Sequence, residues 1–145
     1  MNLLEPAWDA EVEVGGATLR AVRLGAHAGA RRLAANLYEL EPGAIVSPLH
    51  FHHANEELLF VLSGEPTLRL GGGEERVLGP GAVASFPAGV EGTHQVVNRS
   101  AAPARVLICA TNDLPEVAEQ PENETLAVIT ADGLRLVPAV PPVSG

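Results

Sequence analysis

Residues 50–64 of this 145-residue chain read HFHHANEELLFVLSG, and three of the five histidines fall within the first four positions. Successive side chains of a β-strand point to opposite faces, so His50 and His52 share one face while His53 lies on the other. The polar residues that follow can turn the chain, and ELLFVLSG then reads as the second strand of a hairpin, beginning at Glu57. If Glu57 points inward, its carboxylate faces the same cavity as the two imidazoles.

A third histidine comes from a distant part of the chain. The Gly-rich segment PAGVEGT is followed by HQVVN, in which His94, Val96 and Asn98 share one face of a predicted strand. The other two histidines are expected outside the cavity. His53 is predicted at a turn or on the surface, and His27 lies among small residues in GAHAGARR, which is typical of a loop.

The remaining sequence predicts many short strands and little helix, because 12 prolines and 15 glycines interrupt it every few residues. LAANLYEL fits helix or strand by periodicity alone, but its short length and the Pro-Gly that follows it favour a strand. Asn36 and Tyr38 share one face of that strand and Glu39 lies on the other, and the sequence does not decide which face looks inward. Predicted strands cover residues 18–24, 33–40, 66–70, 75–78, 82–87, 94–98, 103–111, 126–130 and 134–137.

Two further segments carry specific expectations. Residues 112–125, NDLPEVAEQPENET, are acidic and broken by proline, which predicts a solvated connection with at most one helical turn. Cys109, the only cysteine, sits inside the apolar strand PARVLICAT and is predicted to be a small buried hydrophobic residue rather than a reactive thiol.

Composition excludes several classes of function. All nine positive charges are arginine, so Schiff-base chemistry on lysine is excluded, and one cysteine cannot form an internal disulfide or a thiolate zinc cluster. The net charge of −9 without a basic patch argues against nucleic acid as a partner. No signal peptide or membrane-length apolar run is visible, so a cytoplasmic protein without a membrane partner is expected. The length predicts one domain over 1–145, with a leader segment at 1–16 and a tail at 138–145.

Over residues 36–110 the sequence resembles a cupin, and in particular the small single-domain bacterial cupins. The first cupin motif is matched by Gly43, His50, His52, Glu57 and Gly64, and the second by Gly81, Pro87, Gly89, His94 and Asn98. The resemblance implies an all-β, single jelly-roll β-barrel that binds one metal through His50, His52, Glu57 and His94. The chain departs from the usual pattern by longer spacings before His50 and His94 and by Ala82 where an aspartate is common, which weakens any analogy of substrate.

The chemistry of these four side chains points to a transition metal independently of the family. Imidazole nitrogen suits zinc, iron, manganese, nickel and copper, whereas calcium and magnesium prefer oxygen. Three neutral imidazoles and one carboxylate leave a divalent ion with a net charge of about +1 and one or two open coordination positions, which a catalytic site needs. The alternative is that the histidines are polar residues satisfied by hydrogen bonds inside the barrel.

The predicted function is therefore a metalloprotein that takes a small oxygen-rich molecule, and three hypotheses stay open. The first is an enzyme, namely a metal-dependent dioxygenase, isomerase or decarboxylase; the second is a binding or sensing module without turnover; the third is a metal-stabilised structural protein. An enzyme that moves protons needs a titratable residue beside the metal that is not a ligand. The candidates are Tyr38, Glu39 and Arg69.

A homodimer is expected from the strand ELLFVL. Glu57, Leu59 and Val61 alternate with Leu58, Phe60 and Leu62, so the strand is apolar on both faces and both faces must be covered. The outer face could be covered by the segment around Trp8, by the C-terminal hairpin or by a second subunit. A two-fold pair is the commonest closed solution, and the resemblance to cupins favours it.

Overall fold

The strands are short and antiparallel, as the frequent Gly and Pro interruptions predict. The structure, a computed structural model, describes residues 1–144. Its strands are β1 (Ala10–Val14), β2 (Ala17–Val22), β3 (Leu33–Leu40), β4 (Phe51–His52), β5 (Glu57–Ser63), β6 (Thr67–Leu70), β7 (Glu75–Val77), β8 (Val83–Phe86), β9 (His94–Val97), β10 (Ala104–Thr111), β11 (Glu116–Gln120), β12 (Thr125–Thr130) and β13 (Gly133–Pro138). One α-helical turn, α1 (Leu24–His27), and two 3₁₀ turns, Val90–Gly92 and Pro121–Asn123, complete the described elements. None of these helical turns approaches the length or hydrophobicity needed to cross a bilayer.

Three sheets form the molecule. One has the order β1-β2-β3-β10-β5-β8, the second β13-β12-β11-β4, and the third β7-β6-β9. The inner faces of the first and third sheets form the core, which includes Leu40, Leu59, Val61, Leu68 and Val106. The fold is the all-β arrangement that the sequence predicts, with cupin-type sheets.

The prediction of a hairpin within residues 50–64 is wrong. Strand β4 pairs with β11 in the four-stranded sheet, whereas β5 pairs with β10 and β8 in the six-stranded sheet. The polar turn between them therefore carries the chain from one sheet to another. Alternation along a strand identifies which residues share a face, but it does not identify the partner strand, and here both partners lie far away in the sequence.

The prediction of a solvated connection over residues 112–125 is also wrong in part. Residues Glu116–Gln120 form β11, which lies between β4 and β12 and contains the buried Glu116 and Ala118. The acidic composition of the segment predicts exposure to solvent. In the structure, however, two of its carboxylates, Glu116 and Glu119, contact the backbone and the side chain of His53. Within the predicted leader, Ala10–Val14 forms the edge strand β1, paired with β2 across Gly15-Gly16.

The outer face of the six-stranded sheet has two different halves. Toward β1 it carries one charged residue on each of four adjacent strands, in alternating sign, namely Glu11, Arg20, Glu39 and Arg105. These join through contacts of 2.7 Å, 2.7 Å and 2.6 Å, and the Arg105 guanidinium lies 5.6 Å from the centre of the Trp8 ring. Toward β8 the outer face is apolar and includes Leu58, Phe60, Leu62, Val83 and Leu107, of which Leu58, Leu62 and Val83 are exposed.

Candidate metal centre

The four predicted ligands meet at one point inside the molecule. His50 and His52 come from the β4 segment, Glu57 begins β5 and His94 begins β9, so each of the three sheets contributes to the cluster. His50 Nε2 lies 3.1 Å from His52 Nε2, and the Glu57 carboxylate lies 3.4 Å from His52 Nε2 and 3.1 Å from His94 Nε2. Atoms of His50, His52 and Glu57 fall within 4.8 Å of one another, close enough to hold one metal ion.

Backbone carbonyls fix the tautomers of two of these histidines. His50 Nδ1 donates to the Pro48 carbonyl at 2.8 Å, and His94 Nδ1 donates to the Gly92 carbonyl at 2.8 Å. When the rings are neutral, their protons therefore sit on Nδ1 and their Nε2 lone pairs point into the cluster. The Phe86 ring stacks on the His94 imidazole, with the two ring centroids 3.5 Å apart, and holds the imidazole in place.

The cluster consequently contains more acceptors than donors. Glu57 Oε2 is buried and has no hydrogen-bond partner in the described part of the chain, although His94 Nε2 lies 3.1 Å away. Converging nitrogen lone pairs and carboxylate oxygens repel each other unless a cation lies between them. The donor set therefore fits a divalent ion that accepts nitrogen and oxygen ligands.

The pKa shifts differ among the members of the cluster. Burial and the neighbouring His94 lower the pKa of His50 to about 4, so this imidazole is neutral at pH 7. Burial alone would raise the pKa of Glu57, but the adjacent His52 and His94 outweigh it and hold that pKa well below its usual range. Burial would lower the pKa of His52, and its interaction with Glu57 outweighs this effect and raises it.

Glu116 and Asn55 support the site and were not found from the sequence. Glu116 Oε1 accepts from the backbone N–H of His53 at 3.0 Å and of Ala54 at 3.1 Å, and Asn55 donates to the same carboxylate. Glu116 Oε2 also lies 3.8 Å from the buried Nδ1 of His52, which has no hydrogen-bond partner among the described residues. A carboxylate behind a ligating imidazole orients the ring and raises its basicity. The signal for Glu116 was hidden in a segment that reads as solvated.

The cluster lies in the wall of a cavity of about 340 Å³ between the six-stranded and four-stranded sheets. Tyr38 is on that wall, so the open question about β3 is settled: Asn36 and Tyr38 face the cavity and Glu39 faces outward. Burial and the nearby Glu57 raise the pKa of the Tyr38 phenol, which stays protonated. Tyr38 is the titratable residue of the cavity lining that does not belong to the cluster.

The other two catalytic candidates do not line this cavity, and this corrects the prediction that groups them with Tyr38. Glu39 forms ion pairs with Arg20 and Arg105 on the outer face of the sheet. Arg69 is held on β6 by Gln95, Glu75 and Glu122. Alternation left both residues free to face inward. The partners of Glu39 lie on β2 and β10, whereas those of Arg69 are Glu75 across the β6–β7 turn and Glu122 in the 3₁₀ turn at Pro121–Asn123.

The remaining predictions concern the two histidines outside the cluster and the cysteine. His53 is exposed and lies 3.1 Å from Glu119, and His27 is exposed and lies 2.7 Å from Asp9, so neither belongs to the cluster. Cys109 is a free thiol and is half-buried rather than fully buried. It lies beside Leu58 on the outer face of the six-stranded sheet, where the described chain leaves an apolar surface uncovered.

Comparison with known proteins gives a family match and several similar structures. The family model described as "Cupin domain" matches residues 36–110, the same range that carries the resemblance in the sequence. A comparison with curated protein sequences gave no significant match.

Three solved structures are informative. A sugar phosphate isomerase from a cupin superfamily, from Silicibacter pomeroyi, is 34% identical, with 83% of this chain and 76% of that chain covered and a TM-score of 0.79. A putative sugar phosphate isomerase from Acidithiobacillus ferrooxidans is 24% identical, covers 90% and 83%, also has a TM-score of 0.79, and bears on the fold alone. The polyketide cyclase RemF from Streptomyces resistomycificus is 29% identical, covers 68% of each chain and has a TM-score of 0.58.

Proposed function

Since this chain belongs to the cupin family, we propose that it is a metal-dependent enzyme that isomerises a small oxygen-rich molecule at the His50, His52, Glu57 and His94 cluster. The single observation that carries the proposal is the convergence of nitrogen lone pairs and carboxylate oxygens in the wall of a cavity. One divalent ion among zinc, iron, manganese, nickel and copper is the proposed cofactor.

The roles of the residues follow from their positions. His50, His52, Glu57 and His94 would hold the ion, and Glu116 would orient His52 from behind. A bound divalent ion supplies Lewis-acid chemistry, which polarises a carbonyl oxygen. Tyr38 holds a proton on its phenol oxygen at the cavity wall and can donate it to an oxygen of the molecule bound there. A molecule that fills the cavity would displace water from these polar groups, which would strengthen their interactions with it.

Isomerisation is favoured among the three reactions by one relative. The Silicibacter pomeroyi protein is described as a sugar phosphate isomerase, and it is similar to this chain over most of both lengths. Isomerisation needs no external oxidant: Tyr38 would donate its phenol proton to the carbonyl oxygen, and the resulting phenolate would take the carbon-bound proton, so that the number of protons on the enzyme is restored. Oxidation would need an oxidant in addition to the ion.

Metal-anchored binding or sensing without turnover is the second candidate function. The observation that favours it is the composition of the cavity, where Tyr38 is joined by uncharged polar groups and aliphatic side chains and its phenol is a proton donor rather than a base near pH 7. In this case the ion would anchor a ligand, and Tyr38 would contribute only a hydrogen bond. Both candidates use the same metal site. They differ in the role of Tyr38, which transfers a proton in the enzyme and only donates a hydrogen bond in the binding module.

Metal analysis tests the foundation of both candidates. Protein purified without chelator is expected to carry close to one transition metal per chain by plasma mass spectrometry. The double substitution His50→Ala with His52→Ala should abolish this, because it removes two of four ligands. The metal-free wild-type protein should melt at a lower temperature than the loaded form, since binding to the folded state alone adds stability.

His53→Ala is the matched control. It removes a neighbouring histidine that is exposed and outside the cluster, so full metal content is expected. Equal metal content in the double variant and the wild type would show that the metal, if present, binds elsewhere. Isomerase turnover that survives complete chelation would contradict the metal-dependent reaction itself.

A further inference from the structure

We infer that the cavity accepts a monoanion that binds the metal through two oxygens and carries a hydrocarbon body, rather than a phosphorylated sugar. The inference rests on the proposed function, because it takes the metal site as given and names the class of molecule that fits beside it. It also separates this chain from the sugar phosphate activity by which its Silicibacter pomeroyi relative is described.

Aliphatic side chains make up nearly half of the residues that line the cavity. They come from all three sheets and from the loop before β4, and they are Val46, Val96, Ile108, Ala118, Ala127, Ile129 and Leu134. Burying hydrocarbon against such walls is favourable by roughly 25 cal/mol per Å² of apolar surface. A sugar, which has hydroxyl groups on every side, would leave several of them facing these walls without hydrogen-bond partners.

The polar side chains that line the cavity outside the cluster are uncharged. They are Asn36, Tyr38, Ser47 and Gln120, which can hydrogen-bond an oxygen-bearing head group. A divalent ion with Glu57 as its one anionic ligand has a net charge of about +1, which a monoanion neutralises. Six-coordination would leave two positions open, enough for a chelating pair of oxygens.

The cavity offers little to a phosphate dianion. None of the described residues that line it is an arginine, and the chain has no lysine. An arginine does lie nearby, because Arg23 lines an adjoining cavity that shares Asn36 and Tyr38. That arginine is mostly exposed and lies 3.9 Å from Asp9, whose charge offsets its own. Recognition of phosphate usually relies on arginine or on clustered backbone N–H groups.

Leu134 and Leu136 provide a matched pair of variants. Both lie on strand β13, two positions apart and therefore on the same face, and their exposed fractions are similar at 59% and 63%. Leu134 lines the cavity and Leu136 does not. Replacing either with serine removes an exposed side chain, so both variants should fold, and only Leu134→Ser should change contact with the hydrocarbon body.

The experiment measures binding to the cobalt-loaded protein by calorimetry. The probes are acetohydroxamate and hexanohydroxamate, which share a monoanionic two-oxygen chelating group, and fructose with fructose 6-phosphate. Hexanohydroxamate is expected to bind at least about tenfold more tightly than acetohydroxamate, because its longer chain is buried against the walls. Leu134→Ser should weaken hexanohydroxamate about threefold to tenfold without affecting acetohydroxamate, and Leu136→Ser should change neither by more than about twofold. Fructose 6-phosphate should bind no more tightly than fructose.

The outcomes separate this inference from the proposed function. Equal affinity for the two hydroxamates, or equal effects of the two leucine substitutions, would overturn the hydrocarbon-binding role. Binding of fructose 6-phosphate about tenfold tighter than fructose would overturn the preference against phosphate, and loss of that difference in Arg23→Ala would assign the phosphate to the adjoining cavity. Each of these results would leave the metal site intact, whereas a protein that takes up neither cobalt nor any of zinc, iron, manganese, nickel and copper would overturn the proposed function together with this inference.

Discussion

At the scale of single residues, Tyr38 separates an enzyme from a binding protein. It is the titratable cavity residue outside the ligand cluster, and its phenol is held in the protonated form by burial and by Glu57. If it transfers a proton, Tyr38→Phe should slow turnover about 10²- to 10⁴-fold while leaving the metal content unchanged. The measurement is exchange of carbon-bound hydrogen with solvent deuterium, followed by NMR on a panel of small ketones and ketoses.

The phenylalanine retains the ring, so packing against the cavity wall is preserved and lost activity can be assigned to the hydroxyl group. Metal content and melting temperature of the variant serve as controls. Exchange at the wild-type rate in Tyr38→Phe would contradict a proton-transfer role. Ligand binding that weakens without any exchange in either protein would favour the binding module.

Single residues also show how far sequence reasoning reaches. His50, His52, Glu57 and His94 could be found because strand alternation and the cupin motifs fix their relative positions over short stretches. Glu116 and Asn55 could not, because their roles depend on contacts across about sixty positions of the chain, and a glutamate in an acidic segment has no local signature of burial. Glu39 was grouped with Tyr38 for the same reason, since Arg105 lies on a strand that the sequence does not place beside it. Arg69 was grouped with them although one of its partners, Glu75, lies on the next strand of the chain.

At the scale of elements, the ion pairs across β1, β2, β3 and β10 hold the charged half of the outer face. Glu39 is central, because Arg20 and Arg105 both pair with it. Burial would raise the pKa of Glu39, but Arg105 and Arg20 outweigh burial and lower it. A lowered carboxyl pKa contributes stability that is complete above the pKa of the unfolded chain and is lost as pH falls through the folded-state value.

Glu39→Gln should therefore lower the melting temperature at pH 7, and the difference from wild type should shrink as the pH falls below about 4.5 toward 2. Melting curves at a series of pH values provide the measurement. Glu74→Gln is the matched control, because Glu74 forms an exposed pair with Arg76 and should contribute little. A Glu39→Gln deficit that is the same at pH 7 and pH 2.5 would show that packing rather than charge accounts for it.

Elements were predicted better than their pairings. The strand at residues 33–40, the strong apolar strand β10 and the closing hairpin β12–β13 all have sequence signals of alternation or turn residues, and the structure confirms them. The pairing of β4 with β11 and of β5 with β10 and β8 has no such signal. A strand of two residues such as β4 is too short to show alternation in the sequence. It can be recognised only from its hydrogen bonds to the neighbouring strand.

At the scale of the whole molecule, we propose that a second copy covers the apolar half of the outer face. The described chain does not cover it: Trp8 lies beside Arg105 on the charged half, and the C-terminal hairpin belongs to another sheet. Leu58 remains 43% exposed and Leu62 36% exposed, next to the half-buried Phe60. A two-fold pair would place this patch against its own copy.

Light scattering should give the mass of a dimer for the wild type and of a monomer for Phe60→Glu, because the variant places a charge in the centre of the patch. Val77→Glu is the control, since it adds the same charge to an exposed apolar residue of the three-stranded sheet and should leave the dimer intact. A folded wild-type monomer at high micromolar concentration would exclude this interface.

The distribution of the cluster over three sheets has a consequence for assembly. The residues from His50 to His94 are close in sequence compared with the whole chain, yet their sheets are completed by strands as distant as β1 and β13. The site therefore exists only when nearly the entire polypeptide has reached its final arrangement, so an ion captured there would be the last component to enter rather than a nucleus for collapse. Once inside, it would act as a cross-link among three sheets that are joined near the site by the paired backbone hydrogen bonds between His50 and His94, so the loaded protein should separate its sheets less readily than the metal-free protein.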